Sequence, residues 1–438
     1  MIVSNVIGGG ILFTPPQIAA AVPHAPLFLL TWLTGGFLAF AGATAYAELA
    51  TLKPRAGGEY VYLREAYGRV WAFLTGWNSF VAGFSGAIAT SAAVLAFYVG
   101  RFIPGAGSVT PLASIPLLPG VLTLTLSPQT IVALAAIWGM AWVHARGIGP
   151  GRLVGNTLAI LKVTAFVLFI AFGLTLGNGR VENLTQPGMA TSTGWLLALI
   201  PVMFTFSGWN AATYVAEEVR EPGRNLPAAL LMGTAAVVGI YLLMNVLYLV
   251  VFPIDALARV QGSVLDVIAD RLLGVAAGNV MGIVSIVSLL ASISAMTLAG
   301  PRVYFAMARD GAFFASAAGV HPRYQTPVVS IVAQAVWSSL LVLSASAEAL
   351  VNYTGFSIVL FSGVAVLAVF VLRRRLPQTE RPFKAWGYPA APAIYVIAST
   401  AILANGLMRS PGPTGAGVAI IAAGLPLYIY FRSKQPLT

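Results

Sequence analysis

Lys162 and two helix-loosening runs, Val6-Ile7-Gly8-Gly9-Gly10-Ile11 and Phe204-Thr205-Phe206-Ser207-Gly208-Trp209-Asn210, are the positions of this chain best suited to chemistry. That chemistry is binding. Each run interrupts an apolar stretch near the middle of a bilayer. In lipid an unpaired peptide group is costly, so a loosened helix persists only where it lines a cavity or holds a ligand. Paired breaks in two halves of a membrane protein are the strongest sequence pointer to a carrier's central site.

Three successive glycines exceed what close helix packing requires, at about 1 kcal/mol each in helix propensity. A half-helix starting at Gly8 to Gly10 presents N–H groups that suit a carboxylate. At the second break the carbonyls of Phe204, Thr205 and Ser207 come free at a half-helix C-terminus, which suits an ammonium group. A carboxylate pocket and an ammonium pocket at one depth describe a zwitterionic amino acid. Trp209 and Asn210 follow the break directly. Asn210 either bonds the ligand or ties down the loosened strand. Phe204 and Phe206 fit a gate over the ligand or plain aromatic packing.

Lys162 lies ten residues beyond Arg152, which marks the inner end of its stretch. At 1.5 Å per residue it is about 15 Å deep in a core of roughly 30 Å. A lysine there costs at least roughly 2.5–3.5 kcal/mol. Two readings stand: a lysine bonded to helix carbonyls for packing alone, or a fixed cation facing the first broken helix, where a coupling ion would otherwise bind. Tyr241, about 20 Å from the inner end of its own stretch, needs a hydroxyl partner. Lys162, the first broken helix and an ordinary interhelical bond are the candidates.

No acid falls at mid-depth. Glu48 ends the second stretch, Glu217 and Glu218 end the sixth, and Asp255, Asp266 and Asp270 belong to an outer loop. A cationic ligand would call for a buried carboxylate, so the expected ligand carries no net charge. The chain has no cysteine and three scattered histidines, His24, His144 and His321. No metal, cofactor or disulfide is therefore expected. A membrane-embedded enzyme would show a clustered catalytic constellation, and none is visible.

Hydrophobic residues make up 58% of the 438 and charged residues 8%, against about 25% charged in a soluble domain. Twelve apolar stretches approach the ~20 residues needed to span a bilayer. They run over 1–21, 26–51, 70–100, 128–145, 153–176, 194–217, 228–252, 279–308, 327–345, 350–372, 389–407 and 415–431. The chain opens inside the first, which leaves that span short on its inner side. With the N-terminus inside, only Arg101, Arg180, Arg259, Arg271 and Arg409 of the 24 basic residues lie outside, and Lys162 lies within a span. Both termini are thus expected in the cytoplasm. The net charge of +11 sets topology and needs no nucleic-acid partner. The loops 53–60 and 217–227 carry charges that form either an inner gate or a solvated face.

Four runs carry a family resemblance: Gly8-Gly9-Gly10-Ile11, PRAGGEYVYL from Pro54, FSGWNAATYVAEEVREPGRNLPAAL from Phe206, and GPRVYFAMARDG from Gly300. Over nearly its whole length the chain resembles the amino acid–polyamine–organocation superfamily, nearest its cationic and L-type amino acid transporter branches. The resemblance implies an all-α membrane fold of 12 transmembrane helices. These form a five-plus-five inverted repeat, with residues 1–176 as one half and 194–372 as the other. Residues 389–431 supply two further helices, and helices 1 and 6 are unwound.

The resemblance also implies roles. Gly8, Gly9 and Gly10, with Ile11 completing the motif, would bind the substrate carboxylate, and the Val6 carbonyl would meet the α-amine. Phe204 matches an aromatic gate, Ser207 a carbonyl of the ammonium pocket, and Asn210 a substrate-facing asparagine. Lys162 matches a lysine that takes a sodium ion's place in sodium-independent members, and Tyr241 a tyrosine linked to it. Gly9 departs from the family's serine. A third-span acid of the proton-coupled kind and a cysteine for joining a heavy-chain partner are both missing. A monomeric, sodium-independent carrier of neutral L-amino acids in the cytoplasmic membrane is expected, as exchanger or uniporter. A proton-coupled symporter of broader or cationic range is the second reading.

Overall fold

A computed structural model describes residues 2–118, 122–177, 179–189, 191–261, 264–344, 347–409 and 411–433. The described residues are predominantly helical, with almost no sheet. The helices are α1 (Ile2–Val6), α2 (Gly9–Ala21), α3 (Ala25–Leu52), α4 (Glu59–Tyr67), α5 (Arg69–Asn78), α6 (Phe84–Val99), α7 (Pro128–Ala145), α8 (Ile148–Leu176), α9 (Ser192–Thr205), α10 (Ala211–Tyr214), α11 (Pro222–Val251), α12 (Ile254–Leu257), α13 (Val264–Leu273), α14 (Val275–Arg309), α15 (Val328–Ser344), α16 (Ala347–Arg375), α17 (Ala390–Arg409), α18 (Pro411–Ala422) and α19 (Gly424–Ser433). One antiparallel hairpin, β1 (Ala113–Leu118) with β2 (Leu122–Leu126), decorates the connection between α6 and α7.

Among the described residues eight helices have both the length and the composition to cross a membrane, and Gly194–Thr205 and Val328–Ser344 are shorter apolar ones. The chain is a multi-pass membrane protein. The two expected breaks are present: residues 7–8 part α1 from α2, and residues 206–210 part α9 from α10. Two details differ from the sequence expectation. The last stretch splits into α18 and α19 around Ala423, and the hairpin had no clear pattern in its mixed Pro, Ser and Leu composition. Lys434, counted among the inner cations, lies outside the described residues.

Sidedness of the helices explains where polar groups go. On α8, Ile160 and Leu161 are 66% and 53% exposed, whereas the adjacent Lys162 is fully buried. Lys162, Phe166, Phe169 and Ile170 form one inward stripe at helical spacing. The exposed apolar faces are what hydrocarbon covers. Around the centre, α1 packs on α8, α11 and α14, and α2 packs on α9. The two broken spans therefore touch one another at the heart of the bundle.

Candidate functional site

Both breaks line one cavity of about 100 Å³. A water needs roughly 10–15 Å³ on the same measure, so the space suits a small solute. The first break contributes Asn5, Val6, Gly8, Gly9 and Gly10, the second Phe204, Thr205, Ser207, Gly208, Trp209 and Asn210. Asn78, Ser79 and Phe84 close one side, Ser292 and Met296 another, and Phe361 and Ser362 a third.

The three glycines differ in what they permit. A Cβ on Gly8 would stand 2.7 Å from Ser292 Oγ, and one on Gly10 would stand 2.8 Å from the Thr205 Cα. Gly9 has ordinary contacts, with Leu289 Cδ2 at 3.6 Å. Gly8 and Gly10 are thus set by close approach, whereas Gly9 faces room. Gly8 caps α2 with no side-chain bond, and the first-turn N–H groups of a helix start have no carbonyl four residues back. These donors point where an anion is stabilised by the helix dipole.

The breaks are also tied together. Asn5 Nδ2 donates to the Gly208 carbonyl at 3.2 Å, and the Thr14 and Thr205 hydroxyls share a bond of 2.9 Å. Gly208 holds φ +94°, a conformation that favours glycine. The Tyr241 hydroxyl bonds the Val6 carbonyl at 2.8 Å and the Thr205 carbonyl at 3.2 Å. Its partner is therefore the first broken helix rather than Lys162. Lys162 Nζ donates to the carbonyls of Ser4 at 3.0 Å, Ser288 at 3.2 Å and Ile7. Ser292 Oγ joins it on Ser4 and Ile7 at 3.1 and 3.0 Å. The C-terminal carbonyls of α1 have no partners within their own helix. A cation and hydroxyls supply them.

Some expected roles need correction. The Phe206 side chain is 1% exposed and packs against Trp32 and Tyr241 with ring centroids 6.1 and 5.0 Å apart. The ring is turned into the core behind the cavity wall and does not line the site, unlike Phe204. Ile11 is fully buried and is absent from the lining, since the first turn of α2 carries it to the far side. Two carbonyls expected to be free are engaged: Phe204 accepts from the Ser207 N–H at 2.9 Å, and Thr205 from Tyr241. Phe204 does line the cavity. Trp209 lines it too, its ring lying edge-on against Tyr46 with centroids 4.7 Å apart.

Glu59 is the residue the sequence hid. It reads as part of a polar loop, yet it is 8% exposed and lines the cavity. The preceding Gly57 and Gly58 hold φ of +110° and +51°, and the Gly57 N–H bonds the Tyr214 carbonyl at 3.2 Å. This turn drives α4 into the bundle. The Glu59 carboxylate accepts from Asn210 Nδ2 at 2.8 Å, from the Thr75 hydroxyl at 3.5 Å and from the Tyr46 hydroxyl. Burial raises its pKa, and those hydrogen bonds pull the other way. Asn210 thus ties the loosened strand to α4.

At this same end, charges from three elements interlock. Arg64 pairs with Asp310, Arg302 with Glu218 at 3.0 Å, and Arg309 with Glu217 at 3.4 Å. Glu217 Oε2 also accepts from the Ala56 N–H at 3.2 Å. Glu48 is 1% exposed and meets Arg373 at 2.6 Å and Arg381 at 3.1 Å. The loop charges therefore hold neighbouring elements together rather than merely facing solvent.

Residues 1–431 match the family model described as amino acid permease. The chain is 26% identical to the serine/threonine exchanger SteT of Bacillus subtilis over 440 residues, covering 99% of this chain and 95% of the other. It is 27% identical over 448 residues to the human large neutral amino acids transporter small subunit 2, covering 99% of this chain and 79% of that one. The human Asc-type amino acid transporter 1 is 27% identical over 444 residues, with 99% and 81% covered. With a cavity flanked by two broken spans and a family match running almost from end to end, the chain belongs to the amino acid permease family of membrane transporters.

Proposed function

We propose that the protein exchanges neutral L-amino acids across the cytoplasmic membrane by alternating access, without sodium. The observation that carries this reading is the meeting of two broken spans at one cavity, with helix-start N–H groups at Gly8 to Gly10 and the Ser207 backbone lining it. The glycine N–H groups take the carboxylate. The Val6 and Ser207 carbonyls take the ammonium, Val6 using the lone pair that Tyr241 leaves. Phe204 closes over the substrate.

Lys162 holds the end of α1 where a sodium ion would otherwise bridge it to α14. A fixed cation there removes the need for, and the room for, a coupling ion. Residues 1–176 and 194–372 act as inverted halves that rock around the site, with 389–431 outside the repeat. The basic end faces the cytoplasm, with both termini. The ion pairs at that end are the inner gate, and the carrier works as a monomer with no heavy chain. Three transporters named for amino acid transport align with it over 99% of its length, which supports the substrate class.

Counterflow in proteoliposomes tests the reading. Preloaded neutral amino acid should drive saturable accumulation of a radiolabelled one, equally in sodium and in choline buffer. Uptake that requires sodium, or flux that does not saturate, overturns it.

A further inference from the structure

Two hollows lie side by side at the basic end of the bundle, away from the central cavity. One, of about 270 Å³, is lined by Arg64, Arg69 and Arg432 with Tyr60 and Asp310. The other, of about 190 Å³, is lined by Trp77, Phe80, Phe313, Phe314 and Leu427, with Ser316 as its one hydroxyl. Phe73 and Phe431 line both, their ring centroids 6.2 Å apart. This ring pair divides a basic chamber from an apolar one.

The chambers are ordered by depth. Arg69 opens the span Arg69–Val99, and Arg432 is the last residue but one of the span Thr414–Ser433. Both guanidinium groups therefore start from a membrane border. At 1.5 Å per residue Trp77 lies about 12 Å deeper than Arg69, and Leu427 about 8 Å deeper than Arg432. The basic chamber is interfacial and the apolar one reaches into hydrocarbon, which is the order of head and tail in a phospholipid.

The charge balance favours an anion. Guanidinium groups from α4, α5 and α19 meet a single carboxylate in the lining. Arg64 pairs with that carboxylate, Asp310, which also accepts from the Tyr60 hydroxyl at 2.8 Å, and it meets Glu65 at 3.4 Å. Arg432 has no carboxylate partner among the described residues. The bias of inner loops toward basic residues accounts for the sign of these charges. It does not account for their convergence on a hollow backed by aromatic rings.

We propose that the paired chambers bind one anionic phospholipid. Arg64, Arg69 and Arg432 hold its phosphate, and an acyl chain passes Phe73 and Phe431 into the aromatic chamber. The planar fork of arginine donors matches phosphate oxygens, and basic hollows between membrane helices suit such headgroups. A bound lipid ties α19 to α4 and α5. The proposal stands on the membrane fold and is independent of the substrate reading.

Native mass spectrometry of the whole protein tests it, with phosphatidylglycerol and phosphatidylcholine of identical chains supplied in equal amounts. Wild type should retain phosphatidylglycerol over phosphatidylcholine by about fivefold or more. The double substitution Arg69→Gln with Arg432→Gln, at two exposed positions, should bring the ratio close to one. Ala333→Phe, which fills the apolar chamber and spares the arginines, should reduce retention of both lipids. In detergent, phosphatidylglycerol should raise the melting temperature of wild type, and inorganic phosphate at the same concentration should not. Equal retention of the two lipids by wild type, a ratio unmoved in the double variant, retention unmoved by Ala333→Phe, or a thermal shift reproduced by phosphate alone overturns the proposal. None of these readouts involves transport, so their failure leaves the carrier reading standing.

Discussion

The Tyr241 hydroxyl stands 2.8 Å from the Val6 carbonyl and 3.2 Å from that of Thr205. One side chain on α11 therefore bridges the loosened backbone of both broken spans. Its removal strands two buried acceptors at once. Tyr241→Phe keeps the ring that packs on Trp32 and Phe206 and deletes only the bridge. It should destabilise the protein by roughly 1–2 kcal/mol and lower exchange velocity, because the two breaks no longer move as a unit. Thermal unfolding in detergent and the kcat of counterflow measure the two effects. Full activity would show that the bridge is incidental.

Lys162 is the second tie, and it acts on α1 from the opposite side. Its ammonium meets carbonyls of α1 and α14 in a fully buried place. Lys162→Ala leaves the Ser4 and Ile7 carbonyls to the hydroxyls of Ser288 and Ser292 alone. The expected result is a loss of stability of about 1–3 kcal/mol and a change in both apparent affinity and the inward–outward asymmetry of transport. If asymmetry and affinity stay unchanged, Lys162 serves packing alone.

Much of this architecture was legible because bilayer physics is strict. Twelve apolar stretches, and the two runs that interrupt them, follow from the cost of unpaired peptide groups in lipid. Lys162 was visible for the same reason, since a cation at that depth has few explanations. Glu59 was not visible. Its burial depends on Gly57 and Gly58 turning α4 into the bundle, and a Gly-Gly-Glu run in a charged loop carries no depth signal. Tyr241's contacts needed three dimensions as well, because residues from α1, α9 and α11 converge there. Phe206 shows the converse. Break position alone does not say which way a ring turns, and here it turns into the core.

The glycines of the first break separate close approach from ligand binding. Gly8→Ala places a methyl against Ser292, and Gly10→Ala places one against the Thr205 backbone. Ser292 Oγ can rotate at the cost of its bonds to Ser4 and Ile7, whereas the Thr205 Cα cannot yield without moving α9. Exchange should fall most in Gly10→Ala, less in Gly8→Ala and least in Gly9→Ala. The ordering is read from initial rates at equal protein in the membrane. Equal loss at all three positions would mean that backbone freedom, not space, governs the site.

Glu59 makes stability depend on pH with a definite sign. Burial raises its pKa, so the folded protein holds this proton more tightly than the unfolded chain does. The contribution of the group to folding is then fully present below the ordinary carboxylate value. It is lost as pH rises through the raised one. Tyr46, Thr75 and Asn210 hydrogen-bond the carboxyl group and oppose, without cancelling, the upward pull of its burial. Glu59→Gln removes the titration and keeps the shape. The melting temperature of wild type, relative to that of Glu59→Gln, should therefore climb as pH falls from about 8 to about 5. Other carboxylates titrate alike in both proteins and cancel from the difference. A difference that stays flat over this range would place the Glu59 titration outside it, and a difference that shrinks toward acid would mean that the hydrogen bonds outweigh burial and hold the carboxylate ionised.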